Sequence, residues 1–427
     1  MRASIVVAIG ISSFGLDARA DVVPAPATGS AAPTTTASAA PTTMASAEPA
    51  PAPPPETTAT ATTPEPTPSA TATPAAPTTL TVAGITISGS LDAYASVNPA
   101  RTSNNPAPNE LYAFETQANG ASFSLAKIAF ERKPAPVGFR LDVGFGQTID
   151  IVNATDTAAG MGHDVMRNLE QAYVSWAATP SLTLKAGKMV THHGMEVIES
   201  QANWNYTHSL LFSFAIPYTE TGLAIDWVAN DQIEATLFVV NGLNNTFEGN
   251  AFKSPGFQVI YKPTSTLTLT QNFSAFNELP GNLGGLTRFD EAVYLFDTIA
   301  TYTPIPELDL GANSDIAYDA TLPSDKLLGG VAAYARWHAS DKSALSARLE
   351  LFHDNDSPTL GIPLAMKGNI GEATGTFSYA PANGLLLRGE ARVDHGFGTF
   401  TPFTDKAGMA MSSADQVTFT LGAVAAF

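Results

Sequence analysis

The chain of 427 residues contains no cysteine, few basic residues and no long apolar run beyond its first 20 residues. The absence of cysteine excludes a disulfide framework, a thiol nucleophile, a zinc–thiolate site and a lipid anchor attached through a thiol. Lysine and arginine total 21 against 39 aspartate and glutamate residues, and the net charge of −18 argues against a nucleic-acid partner. Without a long apolar helix, a chain can cross a membrane only as a closed β-barrel, because lipid offers backbone groups no hydrogen-bonding partner.

The first 20 residues have the three parts of a secretory signal peptide. Met1 and Arg2 form a short basic segment, residues 3–16 are mostly apolar, and residues 18–20 are an Ala-Arg-Ala cleavage site. The apolar stretch is too short to span a bilayer as a helix. We therefore predict that the mature chain begins at Asp21 and is exported.

Residues 21–79 consist almost entirely of proline, alanine, threonine and serine. Such a segment buries too little apolar surface to offset the entropy lost on folding, and its prolines favour an extended spacer. We predict a disordered periplasmic spacer here. Two roles stay open for it: a linker without a partner, and a tether that touches the cell wall.

From Leu80 onward, segments of alternating apolar and polar residues are separated by turn residues, which predicts antiparallel strands. In residues 387–394, leucine, glycine, alanine and valine alternate with arginine, glutamate and aspartate. The polar face carries small and charged residues throughout, as expected for the wall of a lumen. The apolar face is then expected to meet outer-membrane lipid.

The predicted connections alternate between short turns and long loops. The short turns lie at residues 133–136, 179–181, 230–231, 263–265, 304–306, 340–341 and 381–384, and the long loops near residues 98–120, 149–167, 191–219, 242–255, 278–289, 319–326, 355–368 and 396–414. This alternation predicts an all-β, up-and-down transmembrane barrel of about sixteen strands (range about 14 to 18) over residues 80–427. Short turns are periplasmic in outer-membrane barrels, and an even strand number places both termini on that side.

Aromatic residues precede the predicted short turns on the outward-facing side. They are Phe130, Trp176, Trp227, Tyr261, Tyr302, Trp337 and Tyr379, with Phe427 at the end of the last strand. Aromatic rings prefer the headgroup level of a membrane, so this series predicts an aromatic girdle. An alternating last strand that ends in phenylalanine resembles the signal read by the bacterial barrel-assembly machinery, which we expect as a partner.

A motif of several residue types in fixed order lies between residues 204 and 242. It consists of Trp-Asn-Tyr at 204–206, Ser-Leu-Leu-Phe at 209–212, Ile-Pro-Tyr at 216–218, Thr-Gly at 221–222 and Val-Asn-Gly at 240–242. This part of the sequence resembles the OmpL-like β-barrel porin family, and the resemblance covers roughly residues 81–427. It implies a porin of the bacterial outer membrane, with transported solutes that the family does not define.

Charged residues predicted to face the lumen fall into two groups. The basic group, on strands near the two chain ends, is Lys127, Arg140, Arg336, Arg348, Arg388 and Arg392, and the acidic group, on the middle strands, is Asp226, Glu234, Asp297, Asp309 and Asp315. One interpretation is a transverse field that orients polar solutes in a pore. The other is that the wall charges are paired locally. The inward aromatics, which are Tyr173, Phe238, Phe276, Tyr334 and Phe352, look scattered and so do not favour a sugar channel.

Two histidine pairs are candidates for chemistry. His192 and His193 are poor metal ligands, because neighbours on a strand point to opposite faces and no carboxylate lies at ligand spacing. His208 and Ser209 are a candidate base and nucleophile of a barrel hydrolase, but no third orienting group is evident. We predict no catalytic site, no metal and no other cofactor.

The longest predicted loop, residues 191–219, is unusually apolar for an exposed segment. Exposure of these apolar side chains to water is unfavourable, and irregular backbone is not tolerated in contact with lipid. We therefore expect this segment inside the barrel as an inserted third loop. The constriction is then formed by Glu196, Glu199, Trp204 and Tyr206, with the two glutamates facing the arginine side. The alternative is a latch onto a neighbouring barrel in a homo-oligomer.

These patterns together predict an outer-membrane porin with a water-filled channel for passive diffusion of small hydrophilic solutes. A structural protein that tethers the outer membrane to the cell wall through the spacer is one alternative. A barrel hydrolase is another.

Deleting residues 24–78 should leave the barrel folded, because a disordered spacer adds little to barrel stability. The free energy of unfolding in urea should change by no more than about 0.5 kcal/mol. Heat-modifiable migration on gels checks that the barrel forms. A truncated chain that fails to fold would show that the segment belongs to the barrel.

Overall fold

The computed structural model describes residues 79–101, 108–154, 166–248, 253–276, 292–357 and 367–427. The predicted signal peptide, almost all of the predicted spacer and the predicted loop at 278–289 lie outside these described residues. Within the described ranges, no helix is long and apolar enough to cross a membrane.

Sixteen antiparallel strands form a closed barrel, as the sequence predicted. A short strand, β1 (Leu80–Val82), makes a hairpin with the start of the first barrel strand. The barrel strands are β2 (Ile85–Val97), β3 (Asn119–Arg132), β4 (Val137–Phe145), β5 (Leu169–Thr179), β6 (Leu182–Val190), β7 (Thr219–Asn230), β8 (Ile233–Val240), β9 (Ser254–Thr264), β10 (Leu267–Phe276), β11 (Val293–Ile305), β12 (Leu308–Asp319), β13 (Leu327–Ser340), β14 (Ser343–Asn355), β15 (Lys367–Ala382), β16 (Leu385–Gly396) and β17 (Asp415–Ala426). Each strand pairs with its neighbours in sequence, and β17 pairs with β2 to close the ring.

Short turns and long loops lie at opposite ends of the barrel. All the short turns predicted from the sequence connect consecutive strands, from β3–β4 to β15–β16. The start of β2 and the end of β17 lie at the short-turn end, where Gly89 and Phe427 exchange backbone hydrogen bonds of 3.1 and 3.0 Å. Within the described residues, two short α-helices, α1 (Gln147–Val152) and α2 (Leu210–Phe214), and one 3-10 helix (Ser200–Ala202) lie in long loops.

The inner face departs from the predicted pattern in its half near the long loops. Inward positions there carry large apolar side chains that are fully buried, namely Phe238, Phe276, Leu295, Leu328, Phe352 and Ile370. The expectation of small and charged residues throughout the lumen is therefore wrong for this half. The physical reason is that loops fold into this half and offer these side chains an apolar partner.

The aromatic residues that precede the short turns lie on the outer wall. Trp176, Trp227 and Trp337 are each 51% exposed on this surface. Tyr261, Tyr302, Tyr379 and Phe427 are also exposed, and Phe130 is half-buried. Near the long loops, the rings of Phe257, Phe273 and Phe296 form a further outward row with centroid distances of 5.6 and 4.9 Å.

Replacing Trp227 with arginine should impair barrel assembly more than the same change at the next residue, Val228. The first change places a charge in lipid, which costs about 2–4 kcal/mol at the bilayer midplane and about 0–1 kcal/mol near the interface. The second change places the arginine in the lumen opposite Glu234, and this carboxylate can pair with the new charge across the two strands. Urea unfolding in vesicles measures the difference. Equal stability of the two variants would mean that this register of inward and outward faces is incorrect.

Candidate functional site

The segment between β6 and β7, residues 191–218 (loop 3), leaves the wall and crosses the lumen. Gly194 N donates to Asp297 Oδ2 on β11 at 2.6 Å, and Met195 N donates to Asn313 Oδ1 on β12 at 2.8 Å. Farther along, Ser200 Oγ donates to Asp92 Oδ2 on β2 at 2.5 Å. Because β11 and β2 lie on nearly opposite sides of the ring, these bonds carry loop 3 across the barrel interior.

Two wall glutamates hold the backbone amides of loop 3. Glu390 on β16 accepts from Tyr206 N at 2.6 Å and from Thr207 N at 3.0 Å. Glu350 on β14 accepts from Leu210 N at 2.8 Å and from Leu211 N at 2.6 Å. The last two amides begin helix α2 and have no intrahelical partner, so a carboxylate there satisfies them.

Three wall arginines hold the carbonyl groups and an acid of the same loop. Arg348 Nη1 donates to Glu196 Oε1 and to Thr207 O, both at 2.7 Å. Arg392 Nη1 donates to the carbonyl oxygen of His208 at 2.7 Å. Arg388 donates to three loop carbonyls, those of Ser200, Asn203 and Asn205, at 2.5 to 3.0 Å.

Burial corrects the prediction that these arginines line the pore. Arg348, Arg388 and Arg392 face inward, but their exposed fractions are only 0%, 4% and 1%. Loop 3 covers them, because each guanidinium is a strong donor for backbone carbonyls that would otherwise be unpaired. Asp297, Asp309 and Asp315 are likewise inward and buried.

Most other wall charges are paired with a near neighbour. Lys127 forms ion pairs with Asp142 (2.9 Å), Glu170 (2.8 Å) and Glu199, and Arg140 Nε donates to Asp142 at 3.0 Å. On the middle strands, the ion pairs are Asp226 with Lys185 at 3.0 Å and Glu234 with Lys262 at 2.6 Å. This geometry favours local pairing over a transverse field. Among the described residues, Arg336 differs in having neither a hydrogen bond nor an ion pair.

The apolar side chains of loop 3 pack inside their own barrel. Trp204, Leu210, Leu211, Phe212 and Ile216 share one buried cluster with the inner wall. The inward aromatics Phe238, Phe276, Tyr334 and Phe352 belong to that same cluster, and Tyr173 packs against it, so their apparent scatter in the sequence is misleading. Burying a large apolar side chain contributes about 1.5–3 kcal/mol. A latch onto a neighbouring barrel would have to expose these side chains first.

The two predicted aromatic residues of the constriction have separate contacts. Trp204 meets the ring of Tyr334 edge-on, with centroids 6.2 Å apart. Tyr206 Oη donates to Asp92 Oδ1 at 2.6 Å, and its ring lies over Gly422 on β17. A Cβ at position 422 would lie 2.3 Å from that ring, so the close approach requires glycine.

A family model described as "Putative beta-barrel porin-2, OmpL-like" matches residues 84–427. The chain belongs to this porin family. The match begins near the start of β2 and includes the whole barrel. It therefore assigns the molecule to the outer-membrane porins.

Solved porin structures share the fold of this porin. The outer-membrane channel DcaP of Acinetobacter baumannii has a TM-score of 0.53 at 7% identity, covering 81% of this chain and 99% of the other. An anion-selective porin from Comamonas acidovorans has a TM-score of 0.52 at 10% identity, covering 80% of this chain and 99% of the other. OprB of Pseudomonas putida has a TM-score of 0.51 at 10% identity, covering 81% of this chain and 94% of the other. At such identities the similarity shows the fold alone. No curated protein matches the chain.

The histidine pair at the root of loop 3 does have a carboxylate partner, contrary to the sequence interpretation. Glu220 at the start of β7 binds His192 Nδ1 at 2.6 Å and His193 Nδ1 at 3.3 Å. His193 Nε2 also contacts Ser274 Oγ at 3.1 Å. Spacing along the chain could not reveal Glu220, because it is 28 residues from His192. No group of three or more potential metal ligands converges in the described part of the porin.

His208 and Ser209 do not assemble into a base and nucleophile. Ser209 Oγ accepts from Phe212 N at 3.0 Å and so caps helix α2. His208 Nδ1 lies 3.1 Å from Glu115 Oε1, and Nε2 faces the carbonyl oxygen of Val197 at 3.0 Å. Glu115 comes from the loop after β2, 93 residues from His208, so spacing along the chain could not reveal it.

Charge links this histidine to the anchoring of loop 3. Burial lowers the pKa of His208, but the carboxylates of Glu115 and Glu196 outweigh burial and raise it above the usual histidine range. Burial raises the pKa of Glu196, but Arg348 and His208 outweigh burial and hold it below the usual range. The residues Glu115, His208, Glu196 and Arg348 therefore form a chain of alternating charge through the loop.

Replacing Glu115 with glutamine should destabilise the porin more at pH 6 than at pH 9. A histidine with a raised folded-state pKa adds stability fully below its unfolded pKa of about 6.5, and loses it as the pH rises through the folded-state pKa. We expect a difference in unfolding free energy of about 1–3 kcal/mol at pH 6, narrowing toward pH 9. In a His208→Gln background the same substitution should give a difference independent of pH. A difference that stays constant in the native background would contradict this charge assignment.

Proposed function

We propose that this porin forms a water-filled channel for passive diffusion of small hydrophilic solutes, and that loop 3 narrows the channel. The observation that carries the proposal is the path of loop 3, hydrogen-bonded from Asp297 on one wall to Asp92 on the other. A barrel of sixteen strands is wide enough for an aqueous interior. A loop held on both sides reduces that interior without closing the barrel itself.

The constriction assigns different roles to the two glutamates. Glu196 is 5% exposed and bound to Arg348, so it fixes the loop to the wall. The side chain of Glu199 is 20% exposed beside Lys127. It borders a cavity of about 250 Å³ lined also by Arg140 and Gln201. Glu199, Lys127 and Arg140 are then the charged groups that a passing solute meets on this side of the loop.

Orientation follows from the ends of the barrel. In outer-membrane barrels the short turns face the periplasm and the long loops face outward. With this orientation, β1 and the end of β17 are periplasmic. The outward tryptophans Trp176, Trp227 and Trp337 then form the periplasmic girdle.

Deleting residues 196–208 should raise single-channel conductance in planar bilayers, because the deletion removes the part of loop 3 that crosses the lumen. The arginines it uncovers can be solvated by the water that enters. A matched control is deletion of residues 406–411, which are exposed in the loop between β16 and β17. The control should conduct as the native porin does.

Two outcomes would contradict the proposal. Absence of conductance in the native protein would favour the alternative role as an outer-membrane tether. Equal conductance of the native porin and the 196–208 deletion, with normal heat-modifiable barrels, would mean that loop 3 does not set the channel width.

A further inference from the structure

Four buried hydrogen-bond donors lie in one row on the inner wall without protein partners. They are Arg336 Nε, Ser346 Oγ, Ser378 Oγ and Arg388 Nε, and none has an acceptor among the described residues. Ser346, Ser378 and Arg388 are 5%, 3% and 4% exposed. Buried donors are nearly always paired, and leaving one unpaired is costly, so a row of four indicates a missing acceptor.

Strand pairing brings these four residues together. Arg336 on β13 stands opposite Ser346 on β14, and Ser378 on β15 stands opposite Arg388 on β16. Ser346 stands opposite Thr376, which is two residues from Ser378 on the same face. Directly opposed side chains have Cβ atoms about 4.5–5.5 Å apart, and diagonal neighbours about 7–8 Å. The row is therefore continuous along four strands.

The charge of the row is partly balanced by carboxylates: Asp309 stands opposite Arg336 on β12, and Glu390 and Asp92 attract Arg388. Arg336 lies near enough for its charge to act on the Arg388 guanidinium, and neither forms an ion pair with a described residue. The nearby carboxylates have other partners. Asp309 accepts from Thr303 Oγ1 at 2.8 Å and binds His338 Nε2 at 2.7 Å. Both Glu390 oxygens accept from loop 3, and Oε2 also accepts from Thr376.

We propose that this row, Arg336, Ser346, Ser378 and Arg388, binds the phosphate group of a small solute inside the lumen. Guanidinium groups match the geometry of phosphate oxygens, and each of the two arginines has an Nε donor without a partner among the described residues. The two hydroxyls can donate to further oxygens of the same group. Because the row faces the lumen, a membrane lipid headgroup cannot reach it, and the phosphate comes from a dissolved solute.

Access is through Arg336. Its side chain is only half-buried and no protein hydrogen bond holds it, so it can swing aside and close over the anion. Arg388 cannot move in this way, since it is bound to loop 3 carbonyls through Nη1 and Nη2. The site thus has one fixed arginine and one free to move. This inference deepens the proposed function by naming a solute class, and it rests on solutes reaching the lumen.

Titration calorimetry of the full-length porin folded in detergent, with inorganic phosphate as the probe, tests the site. We expect saturable binding of phosphate and none of chloride at the same ionic strength. Arg336→Gln should weaken phosphate binding at least about tenfold, because it removes charge-assisted hydrogen bonds. The double variant Ser346→Ala, Ser378→Ala should weaken it less. Lys262→Gln, which removes an inward positive charge elsewhere, should leave the phosphate affinity unchanged.

Several results would overturn the proposal: equal phosphate affinity in Arg336→Gln and the native porin, equal binding of chloride, or no phosphate binding by a correctly folded barrel. If Arg336→Gln does not fold, the serine double variant, which keeps both charges, decides the question in the same way.

Planar bilayers separate this inference from the proposed channel. Added phosphate should reduce chloride conductance in a saturating manner. Phosphate binding by a protein that does not conduct would support the site and contradict the channel. Conductance without phosphate binding would support the channel and contradict the site.

Discussion

Every backbone N–H and C=O group at membrane depth has to be hydrogen-bonded within the protein, and the rest of this porin's structure depends on that constraint. Sixteen strands meet that need by pairing each with the next and by closing β17 on β2. Once the ring is closed, the period of two along each strand fixes which residues face inward, because a one-residue slip would reverse both faces. The inner wall thus presents a defined set of side chains. A segment that enters the lumen has to provide hydrogen-bonding and apolar partners for them.

The backbone of loop 3 provides hydrogen-bonding partners for the charged side chains of the inner wall. An irregular segment has amides and carbonyls without secondary-structure partners, and these are costly when buried. The wall supplies acceptors from Glu350 and Glu390 and donors from Arg348, Arg388 and Arg392. Each buried charge gains hydrogen bonds that offset its desolvation. The charges of the wall thereby anchor the loop, and the apolar cluster fills the space between the anchors.

Strands, turns and the outward face could be predicted from the sequence because each depends on residues a few positions apart. The insertion of loop 3 could also be inferred, since its apolar content has no other favourable place. The partners of the lumenal charges could not, because they depend on contacts between distant residues. Arg388 and Ser200 are 188 residues apart, and His208 and Glu115 are 93 apart. The clustering of the inward apolar residues was missed for the same reason, since only the inserted loop brings them together.

Few inward charges are left to act on a solute once the paired ones are set aside. The net charge of −18 therefore says little about the lumen, because paired carboxylates create a weak field beyond their partners. An uncompensated guanidinium in a low-dielectric wall creates a stronger local field than a paired charge. Arg336 and Arg388 come nearest to this case, because neither forms an ion pair with a described residue, although Asp309 stands opposite Arg336 and Glu390 lies two residues from Arg388. With the phosphate site that we propose, a strongly acidic chain contains a lumen that binds anions at one level, and these groups rather than the overall composition set the solute preference.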